Sequence, residues 1–488
     1  MTQTEIQNVV KQPHPPGLAV CFGTELWERF CFYGMRALLT LFFVDKACTF
    51  QMPQDEASKV YGAYLALIYA TNLFGGILAD KLLGFRRAVI TGGLLMSAGE
   101  FMLLANTQVM FYSGLSLLIV GCGLLKPNIS AILGRLYAKG DPRRDGGFTI
   151  FYMGINLGAF LGPIVTGWFT NPLYGFAAAG IGMILAVVYF AMNMHKYGDQ
   201  GLPPAGVAPN LAFGMTALYV AIVIPTAYYL LHHEAWVGIA LNVIGAGMAL
   251  YFLFIGAQGG PAQLGRMVAL IFLLIANAVF WACFEQAGNS LNLFTKTNVD
   301  RVVLGYEMKT AWGQALNAIF IVALGIPFAK LWVWLETKKL NPAAPFKFSL
   351  GLLQVGLGFW VLTLGQAFAT NGVVPVVFLV LCYLIHTTGE LCLSPVGLST
   401  MTKLAPEGKG GLVMGGWFLS TAYGSYVAGL ISAIAGRSGD VSTEKMTAME
   451  ALPVYMDVFA LLTKIGLFIG LGALVLSPLV ARLMKGVK

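Results

Sequence analysis

Apolar runs of about 20 residues or more, the length needed to cross roughly 30 Å of hydrocarbon, recur from one end of this 488-residue chain to the other. They lie near 17–44, 58–79, 87–105, 110–137, 147–170, 173–194, 210–231, 235–257, 266–293, 311–335, 347–370, 373–402, 411–435 and 454–483. Lipid offers no partner to exposed backbone N–H and C=O groups, so such a chain is confined to an all-α integral membrane fold of about fourteen transmembrane helices. Hydrophobic residues at 57%, charged residues at 11% and a mean hydropathy of +0.74 place it in the same class. An even number of spans puts both termini on one side. Nineteen Lys and Arg fall in the loops of that side against seven opposite, so both termini are expected in the cytoplasm. The same asymmetry accounts for the net charge of +8 without a nucleic-acid partner. The first sixteen residues lack a cleavable signal pattern, leaving the first helix as the insertion signal. The seven cysteines show no metal-ligand spacing and are expected as unpaired core thiols.

Against that background seven charged side chains stand out inside apolar runs: Glu25, Glu28, Glu285, Glu390, Arg29, Arg36 and Lys126. A charge at bilayer depth costs at least about 2.5–3.5 kcal/mol, so it persists only when paired or facing a water-filled path. A mixed-sign set of this kind points to a polar route through the membrane and to an ion-driven transporter, with the proton as coupling ion. Glu25 and Glu28 share one face of the first helix with Arg29, and Tyr33 and Arg36 continue it at helical spacing. Two carboxylates beside one guanidinium form a coupled titrating group. Glu100, in SAGEFMLLAN, has no assigned role.

The two halves of the chain rhyme weakly. The stretch from Leu124 and the stretch from Leu391 each carry a mid-helix proline (Pro127, Pro395) and then a basic loop closing on two glycines. Internal symmetry of this sort marks duplicated transporters that bind substrate near mid-membrane. The expected organisation is a cytoplasmic tail at 1–16, a six-helix bundle at 17–194, a linker at 195–209, an inserted two-helix hairpin at 210–257, a second six-helix bundle at 258–483 and a tail at 484–488. The hairpin carries no embedded charge and is expected to face lipid. The outer segments near 294–310 and 436–453 are expected to be irregular, and a break at Pro127 is expected to expose backbone beside Lys126.

GGILADKLLGFRR (75–87) looks like the inner-loop signature of the major facilitator superfamily. ELWERF with Tyr33, RRDGGFTIFYMGINLG (143–158) and GELCLSPVGLS (389–399) together resemble the proton-dependent oligopeptide transporter family, over almost the whole chain and in its bacterial form. The resemblance implies a major facilitator fold of two six-helix bundles plus two inserted helices, in a bacterial inner membrane, importing di- and tripeptides with protons. It implies no enzymatic activity, no cofactor and no obligate protein partner. The family's first-helix motif ends in two tyrosines, which fall here on Phe32 and Tyr33, so one hydroxyl is missing. Arg29 and Lys126 become the cationic site for a peptide carboxylate. Asn156, Asn317 and Glu390 match positions that hold the peptide amine, with Ala318 standing where the family commonly has proline after that asparagine. Arg36 with Glu285, and Lys126 with Glu390, are the implied gating pairs. Tyr33, Tyr69, Trp281, Ser394 and Trp417 are the implied pocket residues. A nitrate, drug or sugar carrier on the same fold is the alternative reading. An intramembrane enzyme is disfavoured because His386 stands alone and the other histidines lie at helix ends or in the tail.

Overall fold

Fourteen long helices and one short one are present in the structure, a computed structural model that describes residues 12–138, 141–438 and 441–484. In chain order they are α1 (Gly17–Phe43), α2 (Gln54–Leu78), α3 (Phe85–Leu103), α4 (Gln108–Arg135), α5 (Arg144–Thr166), α6 (Pro172–Asn193), α7 (Pro209–His232), α8 (Glu234–Gln258), α9 (Pro261–Phe284), the short α10 (Ser290–Asn298), α11 (Ala315–Thr337), α12 (Ala344–Leu364), α13 (Val376–Leu404), α14 (Gly410–Ile434) and α15 (Ala448–Leu483). Twelve described helical stretches are long and apolar enough to cross a membrane. α1 and α3 fall outside that number because of the charges they carry, which are the charges of interest below. Most of the expected tails, and Lys139, lie outside the described residues.

Local chemistry sets the helix ends. Proline sits in the first turn of α6 and α9, where its missing N–H is no loss. α15 starts before its apolar run because Thr447 and Glu450 form a reciprocal capping box. Among the described residues, the connections at 299–307 and around 437–442 hold two-residue strands. All seven cysteines are buried and none forms a disulfide among the described residues.

Two expectations need correction. The apolar run near 266–293 is not one helix: α9 stops at Phe284, Glu285–Gly288 form a 3-10 turn, and α10 follows. Hydropathy cannot see this break, because polar side chains rather than apolarity make it tolerable at depth. The Gln286 amide donates to Ala282 O at 3.0 Å and Ala428 O at 3.1 Å. Its carbonyl oxygen accepts from Ser290 at 2.5 Å and Ser432 at 2.6 Å. Conversely, α4 runs unbroken through Pro127. The Asn128 amide donates to Leu124 O at 2.6 Å and to Gly75 O at 3.3 Å, bracing the turn that the proline weakens.

The chain divides into two compact units. One runs to Leu39 and includes Lys46–Phe50 and Leu67–His232. The other holds Thr40–Asp45, Gln51–Ala66 and the chain from His233 onward. Side-chain chemistry explains why the second unit takes in pieces of α1 and α2. Thr40 donates to Gly288 O at 2.9 Å, Asn289 to Ser58 O at 3.1 Å, and Arg437 pairs with Asp55 at 2.8 Å. In the first unit the 75–87 motif forms a brace. Arg135 pairs with Asp80 at 3.1 Å, and Arg86 donates to the carbonyls of Gly198 and Gln200 in the linker.

Close helix packing in the first unit depends on small residues, as expected where lipid is no less apolar than the core. A Cβ on Gly121 of α4 would stand 2.6 Å from Gly92 O of α3. Gly121→Val is therefore expected to cost about 3 kcal/mol or more, seen as a lowered thermal midpoint in detergent. Gly247→Ala on α8, with nothing within 4 Å, is expected to leave the midpoint unchanged.

Candidate functional site

The first unit gathers its charges on α1 and α4. Spacing of three and four residues brings Glu25, Glu28 and Arg29 onto one face of α1. Arg29 Nε donates to Glu25 Oε1 at 2.8 Å and pairs with Glu28 Oε2 at 2.5 Å. All three are buried. Nε gives its hydrogen to Glu25 and faces Glu28 as an ion pair, while Arg29 Nη2 has no hydrogen-bond partner among the described residues. A guanidinium so placed retains a donor for a further anion. Arg29 Cζ lies 5.5 Å from the centroid of Phe32, so the residue that lacks the family hydroxyl supplies a ring face instead.

Lys126 is half-buried on α4. Its ammonium rests 4.8 Å from the Tyr69 centroid and 6.0 Å from that of Phe32. Among the described residues no carboxylate lies within ion-pair distance of it. The cation is thus desolvated on ring faces while its neighbour Arg29 holds both acids. Arg36 lies 5.7 Å from the Tyr33 ring.

Asn156 is buried on α5, with its amide on Tyr152 O at 2.8 Å. α5 meets α1 beside Arg29, since a Cβ on Gly158 would lie 2.7 Å from Arg29 Cβ. Glu100 is buried on α3 and is served by a thiol: Cys31 Sγ donates to its Oε1 at 3.3 Å. Cys122 Sγ lies 4.0 Å from Glu28 Oε1. Neither cysteine carried a sequence signal beyond its place in an apolar helix.

In the second unit, Asn317 and Glu390 come together. Asn317 occupies the first turn of α11, and its amide donates to Glu390 Oε2 at 2.9 Å and to Thr387 Oγ1 at 3.1 Å. The carboxylate and amide oxygens there form an acceptor-rich site, half-buried in both residues. Ser394 follows Glu390 by one turn of α13. Asn277, Trp281 and Glu285 recur every four residues, a spacing that could have flagged Asn277 in the sequence. The Trp281 indole donates to Asn277 Oδ1 at 3.0 Å, and the Asn277 amide donates to Ser420 at 2.8 Å and Thr421 at 3.1 Å. Glu285 is buried in the 3-10 turn. Trp417 is buried in the apolar core, edge-on to Phe348 at 6.2 Å. Lys126, Tyr33, Tyr69, Trp281, Asn317, Glu390 and Ser394 are all half-buried, as residues bordering open space should be.

Comparison with known proteins places the chain in a family. The model of the POT family matches residues 86–448. The peptide transporter YePEPT of Yersinia enterocolitica is 37% identical over 86% of this chain and 87% of its own length. A di-/tripeptide transporter of Lactococcus lactis is 32% identical over 97% of both chains. A crystal structure of a point mutant of the peptide transporter POT with alafosfalin superimposes with a TM-score of 0.83, at 35% identity and full coverage of both chains.

Proposed function

Because this chain belongs to the POT family, we propose that it is a proton-coupled symporter importing di- and tripeptides by alternating access. It is a multi-pass membrane protein; we assign it to the cytoplasmic membrane of a bacterium, with both termini inside. It acts as a carrier and not as an enzyme, needs no cofactor, and uses the proton as coupling ion. The proposed organisation keeps bundles at 17–194 and 258–483, a linker at 195–209 and a hairpin at 210–257.

The observation that carries the reading is Arg29 shared between two buried carboxylates, with Lys126 left to aromatic faces beside it. Arg29 and Lys126 take the peptide carboxylate, a fork and a point charge respectively. When the peptide draws on Arg29, the released carboxylates of Glu25 and Glu28 accept a proton. Glu390, with Asn317 and Asn156, takes the peptide amine, while Tyr33, Tyr69, Trp281, Ser394 and Trp417 shape the side-chain pockets. Arg36 and Glu285, with Lys126 and Glu390, act in gating. Both ends of every short peptide are met by opposite charge, so affinity rests on the shared backbone and many side chains are tolerated.

The amine assignment is tested by binding of alanyl-alanine and its N-acetyl form to Glu390→Gln and to wild type. Wild type is expected to bind the free-amine peptide more tightly by about 1.5–3 kcal/mol, a difference that the variant loses. An undiminished preference in Glu390→Gln would remove Glu390 from the amine site.

A further inference from the structure

The second unit holds a cavity of about 450 Å³ that the transport assignment leaves unused. Its walls come from α8, α9 and α14 with Ile465 of α15, and they are apolar apart from Asn242, Ser420 and Tyr423. It is open at the surface, where Ile275 and Tyr423 of its lining are exposed, and its volume falls in the range of ligand sites, about 300–1,000 Å³. On its outer side Tyr423 donates to Asn242 Oδ1 at 3.2 Å, tying α14 to α8. Toward the C-terminal end of α8, Met248 and Phe252 pack against Gly416. Open space surrounds Gly245 of the wall, which has nothing within 4 Å of its missing Cβ. The outward surface of α8 is apolar, with Val243, Ile244, Leu250 and Phe254 exposed to lipid.

A cation lies beside the Phe252 end of this groove. Lys409 precedes α14 on the same helical face as Gly416, two turns away. Its Nζ reaches across to α8, 3.5 Å from Tyr251 OH and 5.9 Å from that ring's centroid. Among the described residues it has no carboxylate partner. With the termini inside, this cation sits at the level of cytoplasmic-leaflet headgroups, where anionic lipid is attracted to basic residues.

We propose that this cavity holds an acyl chain of an anionic phospholipid of the cytoplasmic leaflet, whose headgroup is bound by Lys409 and Tyr251. The site is lateral, and it gives the inserted α8 a task in lipid recognition. Ser420 belongs both to its wall and to the Asn277–Trp281 network, so the lipid borders a residue that orients the transport pocket.

The test is native mass spectrometry of the full chain in detergent, loaded with phosphatidylglycerol or phosphatidylcholine. Wild type is expected to retain the anionic lipid about fivefold better, and Lys409→Gln is expected to lose that preference. Gly245→Leu, which fills the cavity, is expected to cut retention of both lipids by at least about tenfold. Gly247→Leu, which also has open space but lies outside the lining, is expected to retain lipid like wild type. Undiminished retention by Gly245→Leu would overturn the cavity assignment. Equal retention of both lipids by wild type would overturn the anionic headgroup site.

Discussion

Glu28→Gln is expected to abolish uphill accumulation of dipeptide while leaving peptide counterflow measurable. A zwitterionic peptide moving with one proton carries one net charge, so a potential of 100 mV can sustain roughly fifty-fold accumulation. That ratio should fall to about one in the mutant, because a side chain that cannot titrate cannot tie the gradient to the substrate. Exchange needs no net proton movement and should survive. The fold should also survive, since Arg29 keeps Glu25 as a partner at 2.8 Å and no buried charge is stranded. Glu25→Gln is expected to behave in the same way. Full gradient-driven accumulation by both mutants would remove the cluster from coupling.

Lys126→Ala is expected to weaken dipeptide binding by about 1.5–3 kcal/mol, roughly ten- to hundred-fold, if its charge is held for the peptide carboxylate. The structure makes the test clean, because Lys126 lies on the Tyr69 and Phe32 rings and its removal strands no carboxylate. A C-terminally amidated dipeptide should bind wild type poorly and lose little more in the mutant. Equal losses for acid and amide, measured by isothermal titration, would make Lys126 a packing residue.

The span pattern was legible in the sequence because the bilayer imposes length and apolarity together, and α4, α6, α7 and α14 begin and end within a few residues of their apolar runs. The cluster of Glu25, Glu28 and Arg29 was legible because all three sit on one helix, where spacing is geometry. What escaped was set by partners distant in the chain. The turn at Glu285 depends on Gln286 meeting Ser432, and no hydropathy average contains that bond. Pro127 suggested a break that Asn128 and Gly75 compensate. Asn317 meets Glu390 across 73 residues; their shared place rested on family resemblance, since neither helix alone reveals it. The thiol beside Glu100 had no signal to offer, because cysteine in an apolar helix reads the same wherever it points.

Uptake of labelled alanyl-alanine into proteoliposomes containing the purified chain, with an inward proton gradient, tests proton-coupled peptide symport. Expected are accumulation above the outside concentration, collapse to equilibrium on adding a protonophore, and competition by unlabelled dipeptide but not by nitrate. Uptake indifferent to the gradient, or displaced by nitrate and not by dipeptide, would contradict it.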